Sequence, residues 1–195
     1  MGAVPANRRA SSAVLFPQDV HSGAAQPSLS TSCDCRSPRA GAALAIQLRR
    51  NTAPTPDKPI LQVLDDYKAA VLAKSVDAFV ALYAPNVLVF DMWGAWSYNG
   101  IASWRGMVEA WFCSLGTERV IVDFSDAQTI VTGELAVVHA FVAYKAVDAN
   151  GVELRSMDNR VTMTLGRNGD GWKIVHQHTS SPIDGGTAQV IFKRE

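Results

Sequence analysis

The spacing of apolar residues separates a helical part of the chain from a strand-like part. Apolar side chains recur at helical spacing from Ile60 to Leu72, and again from Val76 to Tyr83 behind Ser75, a residue suited to cap a helix. A third helical pattern runs from about Ile101 to Leu115. From Arg119 onward the period becomes two, which is typical of strands. The pattern therefore predicts three helices followed by a sheet.

Four strand-like runs make up the second part, separated by short segments rich in glycine, asparagine and aspartate. They are predicted over residues 120–132, 135–147, 152–165 and 172–180, and a shorter strand is predicted at 87–93. Because short turns join neighbouring strands antiparallel, the four runs are expected to form a meander. Helices first and sheet last indicates an α+β domain, with three helices packed on one face of a curved antiparallel sheet.

The run 135–147 is apolar on both of its faces. Leu135 and Phe141 point one way, and Val138 and Tyr144 point the other. One face can pack on the helices, which leaves the other in need of a partner. The sequence therefore predicts a homodimer through the outer face of the sheet.

Residues 1–57 are dominated by alanine, serine, proline and arginine and lack a sustained apolar period. Such a stretch buries too little apolar surface to offset the entropy of ordering it, so a disordered or poorly ordered extension is expected. The domain is then predicted at 58–184, with a C-terminal tail at 185–195. The protein is expected in the cytoplasm, or in an organelle if the arginine- and serine-rich stretch is a transit peptide.

Charge and cysteine content narrow the functional classes. Eighteen basic and eighteen acidic residues leave no net charge, so neither nucleic acid nor a membrane is expected as a partner. The three cysteines, Cys33, Cys35 and Cys113, are too few and too unevenly spaced for a disulfide framework or a zinc site. No phosphate loop or dinucleotide fingerprint is present, and no cofactor or metal is expected.

Two stretches resemble a known family. They are LVFDMWGAWSYNGIASWRGMVEAWF at 88–112 and RSMDNRVTMTLGRNGDGWKIVHQHTSSP at 155–182. Together with the preceding helices they look like the SnoaL-like branch of the NTF2-like superfamily, which includes ketosteroid isomerases. They are also similar to the association domain of calmodulin-dependent kinase II. The resemblance spans residues 60–184 and implies a cone-shaped domain with a pocket between the concave sheet and the helices.

Members of this superfamily differ widely in function, so the resemblance leaves three alternatives. The first is a small-molecule-binding domain, in which a cofactor-free isomerase, cyclase or dehydratase acts by proton transfer next to a carbonyl in an apolar pocket. The second is a non-catalytic ligand-binding or oligomerisation module. The third is an accessory subunit.

Asp91 is the candidate catalytic residue. It lies between Phe90 and the pair Met92 and Trp93, which are expected to desolvate a carboxylate and raise its pKa. A carboxyl group with a raised pKa suits a general base or acid near neutral pH. The alternative is a strand-end acid that caps a turn or pairs with Arg160.

Arg160 is a candidate ligand-binding residue, because an arginine in an otherwise uncharged strand needs a partner or access to water. It suits a ligand carboxylate or phenolate, and Asp158 shares its face by period two. The alternative is an ion pair with Asp158 or Asp91. The resemblance to the association domain implies an arginine lining the cavity at Arg160. Val142 and Thr179 stand where that domain has further arginines, so a strongly anion-binding pocket is not expected.

The histidines of the last strand, His176 and His178, share one face by period two with Trp172 and Ile174, opposite Gln177 and Thr179. A third metal ligand is missing from the pattern, so the pair is not expected to bind metal. If Thr179 faces the cavity, as the association domain implies, the histidines point to the dimer side or the rim, unless a bulge reverses the register. Gln177 and His178 are candidate ligand-binding residues.

Aromatic residues supply the candidate walls of the pocket. Trp93 follows Asp91, and Tyr98 and Trp104 flank Gly100 at the start of the third helix. Flat apolar walls of this kind suit a small apolar or aromatic ligand.

Overall fold

The computed structural model describes residues 58–169 and 171–194. The expected extension at 1–57 lies outside the described residues. The elements are α1 Lys58–Leu72, α2 Val76–Val80, β1 Tyr83–Phe90, β2 Tyr98–Asn99, α3 Gly100–Ser114, β3 Arg119–Thr132, β4 Leu135–Val147, β5 Glu153–Asn168 and β6 Gly171–Ser180. The predicted α+β class and the three helices preceding the long strands are confirmed. No helix in the described ranges is long and apolar enough to span a membrane.

The second helix is shorter than its apolar pattern indicates. It begins behind the Ser75 cap, whose side chain accepts a hydrogen bond from the Ala78 N–H at 3.3 Å, but it ends at Val80. The prediction that Tyr83 belongs to this helix is wrong, because Tyr83 pairs with Ile174 at the start of β1. Backbone pairing with the sheet outweighs the helical spacing.

The six strands form one sheet in the order β2-β1-β6-β5-β4-β3. The predicted antiparallel meander is β3 to β6, in which Phe141 of β4, for example, lies opposite Arg160 of β5. β1 departs from this arrangement, because it runs parallel to β6 with Phe90 opposite His178. The two strands are distant in sequence, so no hairpin turn fixes their relative direction. This pairing brings the residues after β1 beside the end of β6.

One face of the sheet packs on the helices and forms the core. The alternation predicted for β4 is observed: Ala136, Val138 and Val142 are buried against the helices, while Leu135 and His139 are exposed on the outer face. The aromatic side chains of the core surround Phe79, and they are Tyr67, Tyr83, Trp104, Trp111 and Phe112.

A bulge at Val175 changes which residues of β6 face the core. Leu165 lies opposite Ile174, but the next residue of β5 towards its start, Thr164, lies opposite His176. Ile174 and Gln177 therefore both point inward, although three positions separate them. The prediction that the histidines share the face of Ile174 is wrong, because the extra residue reverses the alternation. His176 and His178 lie on the outer side, opposite Gln177 and Thr179.

Candidate functional site

A cavity of about 830 Å³ opens where the parallel strands β1 and β6 end. Three segments enclose it: the loop 91–97 after β1, the end of β6, and the chain that follows β6. Its lining is mainly apolar and consists of Phe90, Asp91, Met92, Trp93, Gly94, Ala95, Trp96, Ser97, His178, Thr179, Ser180, Ser181, Ile183 and Val190. This volume is in the range of small-molecule sites.

Asp91 is held in this cavity by the end of β6. Its Oδ1 accepts a hydrogen bond of 2.6 Å from the Thr179 hydroxyl, and that hydroxyl oxygen accepts the Met92 N–H at 3.2 Å. The parallel pairing of Phe90 with His178 places Asp91 and Thr179 next to each other. Oδ2 is enclosed, and no hydrogen bond of normal geometry reaches it from the described residues.

The surroundings of Asp91 favour its protonated form. Burial raises the pKa of the Asp91 carboxyl, and hydrogen bonds from Thr179 and from the backbone of Trp93 and Met92 oppose the rise in part. Desolvation disfavours the charged carboxylate more than these donors stabilise it. The expectation of a raised pKa at this position therefore agrees with the structure.

Two hydrogen-bonded pairs lie in the core behind the cavity. The Tyr83 hydroxyl donates to Gln177 Oε1 at 2.8 Å, and the hydroxyl oxygens of Tyr67 and Tyr144 are 3.0 Å apart. Burial raises the pKa of each of the three tyrosines, and the negative charge of Asp91 raises it further. The tyrosines are therefore neutral hydrogen-bonding groups at physiological pH.

The candidate ligand-binding residues are divided between the cavity and the core. Trp93 and His178 line the cavity with Asp91. Trp104 is 2% exposed and lies in the aromatic core, with the Tyr98 ring 5.4 Å from its own. Gln177 is 1% exposed and is occupied by Tyr83. Trp104, Tyr98 and Gln177 thus lie outside the lining of the cavity.

Arg160 and Asp158 point away from Asp91. Their neighbours Asn159 and Val161 are buried on the inner face, so both charged residues lie on the outer face of β5. Within residues 58–169 and 171–194, Arg160 forms no ion pair with either aspartate. Asp158 lines a separate cavity of about 230 Å³ together with Phe141 and Arg194. The structure therefore does not bring Arg160 and Asp91 to one site.

Several residues of the cavity are not identifiable from the sequence. The sequence indicates Thr179 only as a replacement for an arginine, whereas its hydroxyl holds Asp91. Trp96, Ile183 and Val190 lie in segments without a helical or strand-like period. A cluster of tryptophans around an acid is the one available signal for Trp96.

Comparison with known proteins identifies the family to which the chain belongs. The family model of the SnoaL-like domain matches residues 60–184, so the chain belongs to this family. Comparison with curated proteins gives no match.

Solved structures agree with this assignment. An NTF2-like protein of unknown function from Pseudomonas putida is 22% identical with a TM-score of 0.61, covering 70% of this chain and 93% of that one. Aln2 from Streptomyces sp. is 12% identical with a TM-score of 0.58, covering 65% and 92%. A putative calcium/calmodulin-dependent protein kinase II association domain from Xanthomonas campestris is 18% identical with a TM-score of 0.51, covering 62% and 84%. At these identities the similarity concerns the fold alone.

Proposed function

We propose that the domain binds a small, flat and largely apolar carbonyl compound in the cavity, with Asp91 as the proton-transfer group. The observation that carries this proposal is the position of Asp91: a carboxyl group with a raised pKa lies at the wall of an open, mainly apolar cavity. A carboxylate with this property is a stronger base near neutral pH than an ordinary surface aspartate. Perturbed carboxyl groups in apolar cavities are frequent at catalytic sites.

The reaction that this arrangement supports is the movement of a proton next to a carbonyl. The Asp91 carboxylate takes a proton from the carbon beside the carbonyl, and the electron pair of the C–H bond passes into the carbonyl to give an enolate. The Asp91 carboxylic acid then returns the proton, to the same carbon or to another one conjugated with it. Return to the same carbon gives only hydrogen exchange, whereas return to the conjugated carbon moves the double bond and is an isomerisation; neither requires an external oxidant. Thr179 fixes the carboxyl group through Oδ1.

A second candidate function is ligand binding without catalysis. An enolate oxygen needs a hydrogen-bond donor or a cation, and Arg160, the predicted partner, lies on the outer face. Among the described residues, no lysine or arginine lines the cavity. The polar side chains of the lining that could face a carbonyl oxygen include His178, Ser97 and the serines at the end of β6. A cavity of this composition binds a ketone even where it does not stabilise the enolate.

Binding and catalysis are tested separately, with the full chain. Binding is followed with 6-propionyl-2-dimethylaminonaphthalene, a flat neutral ketone whose fluorescence moves to shorter wavelength in apolar surroundings. Catalysis is followed by NMR as solvent deuterium uptake at the carbon beside the carbonyl of 2-tetralone. We expect the wild type to accelerate the uptake and Asp91→Asn to lose at least about a hundredfold of it, as for removal of a general base. Asp66→Asn, on the exposed side of α1, is the matched control.

The outcomes distinguish the two functions. Ketone binding without accelerated deuterium uptake favours the non-catalytic module. A wild type that neither binds the probe nor accelerates uptake overturns the proposal.

We also propose that two copies of the chain associate through the outer face of the sheet. Phe90, Ile130 and Leu135 expose 38%, 50% and 50% of their surfaces, which is unusual for large apolar side chains on one sheet. Thr162 lies at the centre of this face, opposite His139 on β4 and His178 on β6. A second copy supplies a surface of the same shape and composition.

A further inference from the structure

The chain after β6 turns back along the domain. We call residues 182–194 the return segment. Ile183 and Val190 form a single antiparallel bridge, and the Asp184 side chain caps the turn between them by accepting the N–H groups of Gly186 and Thr187 at 3.0 and 2.7 Å. The family match ends at 184, so most of this segment lies beyond the domain shared with the family.

Two contacts attach the end of the return segment to β5. The carbonyl oxygen of Phe192 accepts the Asp158 N–H at 2.8 Å, and the Arg194 N–H donates to Asp158 Oδ2 at 2.9 Å. Phe192 thus occupies the place beside β5 that β6 leaves when it ends at Ser180.

The Arg194 side chain provides a further attachment, on β3 and β4. Its guanidinium lies 3.8 Å from the centre of the Phe141 ring and 2.8 Å from Asp126 Oδ2. Cation–π and ion-pair contacts of one guanidinium fix its position more firmly than either contact alone.

The return segment forms one side of the Asp91 cavity in two ways. Ile183 and Val190 line the cavity directly. Phe192 acts through Trp93: the two rings are stacked, with centroids 5.6 Å apart and planes 12° from parallel. Phe192 therefore fixes the orientation of an indole that itself lines the cavity.

We infer that the return segment is the specificity-determining wall of the Asp91 cavity, and that it selects flat aromatic ketones over globular ones. The indole of Trp93, held parallel to the Phe192 ring, gives this wall a flat part, so a planar ligand contacts it over a whole ring face. A globular ligand touches the same wall at few points and loses most of that contact. The inference rests on the proposed function, because it concerns the ligand of the same cavity.

The test is a comparison of two ketones of similar size and different shape in the full chain. The ketones are 2-acetonaphthone, which is flat, and 2-adamantanone, which is globular, each competing with the fluorescent naphthyl ketone used above. Phe192→Ala removes the ring behind Trp93. Arg194→Met removes the contacts of the guanidinium with Phe141 and Asp126 but keeps an apolar side chain. It provides a second test if Phe192→Ala folds poorly.

A matched control is available at Arg167. It also combines a cation–π contact, 4.9 Å from its guanidinium to the Trp172 ring centre, with an ion pair, 3.7 Å to Glu134. Neither Arg167 nor its partners line the cavity. Arg167→Met therefore removes a cation–π contact and an ion pair of the same kind away from the cavity, and it shows whether such a loss by itself alters ketone binding.

We expect wild type and Arg167→Met to prefer the flat ketone to the same extent. We express this preference as the dissociation constant of the globular ketone divided by that of the flat ketone. In Phe192→Ala and Arg194→Met this ratio should fall about tenfold, mainly because the flat ketone binds more weakly. An unchanged ratio in two folded variants that bind the probe overturns this inference, while loss of deuterium uptake in Asp91→Asn still supports the proposed function. Failure of the wild type to bind any of the ketones overturns both.

Discussion

At the scale of single residues, Asp91 combines two properties that rarely occur together on a surface. It lines a cavity, and burial of its carboxyl group raises the pKa although the Thr179 hydroxyl donates a hydrogen bond to it. The enclosed Oδ2 has no partner of normal geometry in the described part of the chain. A buried polar atom without a hydrogen-bond partner destabilises the folded state. Such a loss of stability is common at residues that serve chemistry rather than stability.

Replacing Asp91 by asparagine should stabilise the protein in a pH-dependent way. The pKa of Asp91 is raised in the folded state, so its contribution to stability is full below the ordinary aspartate pKa and is lost as pH rises through the raised value. Asparagine does not titrate. Asp91→Asn should therefore gain on the order of 1 kcal/mol over wild type at neutral pH, and less in acid.

Thermal or urea unfolding across the acid-to-neutral range measures this difference. Asp66→Asn, on the exposed side of α1, should track the wild type at every pH. A constant difference between wild type and Asp91→Asn would show that the Asp91 pKa is not raised.

The Tyr83 hydroxyl should contribute to stability because it donates a hydrogen bond to the buried side chain of Gln177. Tyr83→Phe leaves Gln177 Oε1 buried without its donor, which costs about 1–3 kcal/mol. Replacing both partners, as in Tyr83→Phe with Gln177→Leu, should cost less than the sum of the single changes. Urea denaturation of the four proteins gives the coupling free energy. Additive losses would contradict a direct hydrogen bond.

At the scale of elements, the sequence predicts what depends on local spacing. The period of two identifies β3 to β6, and the short turns between them give their antiparallel order. Three features depend instead on contacts distant in the chain. They are the parallel pairing of β1 with β6, the bulge at Val175, and the placement of the return segment.

These distant contacts decide the composition of the site. Period two places Asp158 and Arg160 on one face, but which face meets the helices depends on the rest of the sheet. Between Asp158 and Arg160, Asn159 is the residue that faces inward, so the predicted meeting of Arg160 with Asp91 does not occur. Asp91 itself was identifiable because an acid among large apolar residues is unusual in any register.

Gly94 lies in the loop 91–97, which joins β1 to β2 and lines the cavity. Its φ is +75°, and a Cβ at this position would lie 2.8 Å from the Tyr98 hydroxyl oxygen. Gly94→Ala should cost about 1 kcal/mol or more, because an L side chain is strained there and the hydroxyl must move.

Gly106 should give the opposite result and serves as the control. It lies within α3, and a methyl group added there would meet no other atom within 4 Å. Gly106→Ala should therefore gain roughly 0.5–1 kcal/mol through helix propensity. Unfolding in urea measures both changes. Equal effects of the two substitutions would contradict the strained conformation of the 91–97 loop.

At the scale of the whole molecule, the sheet separates two kinds of surface. Its inner face and the helices form an aromatic core, in which the hydroxyl groups of Tyr67, Tyr83 and Tyr144 are hydrogen-bonded. The Asp91 cavity lies at the ends of the parallel strands β1 and β6, and the return segment forms one of its sides. The outer face carries Arg160 and the three histidines of the described domain, His139, His176 and His178.

The proposed dimer depends on this outer face, and Thr162 is the position that tests it. An arginine at 162 would stand between His139 and His178 and beside Arg160, so two copies meeting there would bring like charges together. Thr162→Arg should convert a dimer into a monomer without loss of folding, because the side chain is exposed on the free chain. Ala102→Arg, on the exposed side of α3, should leave the dimer unchanged. Sedimentation at micromolar concentration measures the oligomeric state. A wild type that sediments as a monomer would contradict the proposed dimer. A Thr162→Arg protein that remains dimeric places the interface on another face.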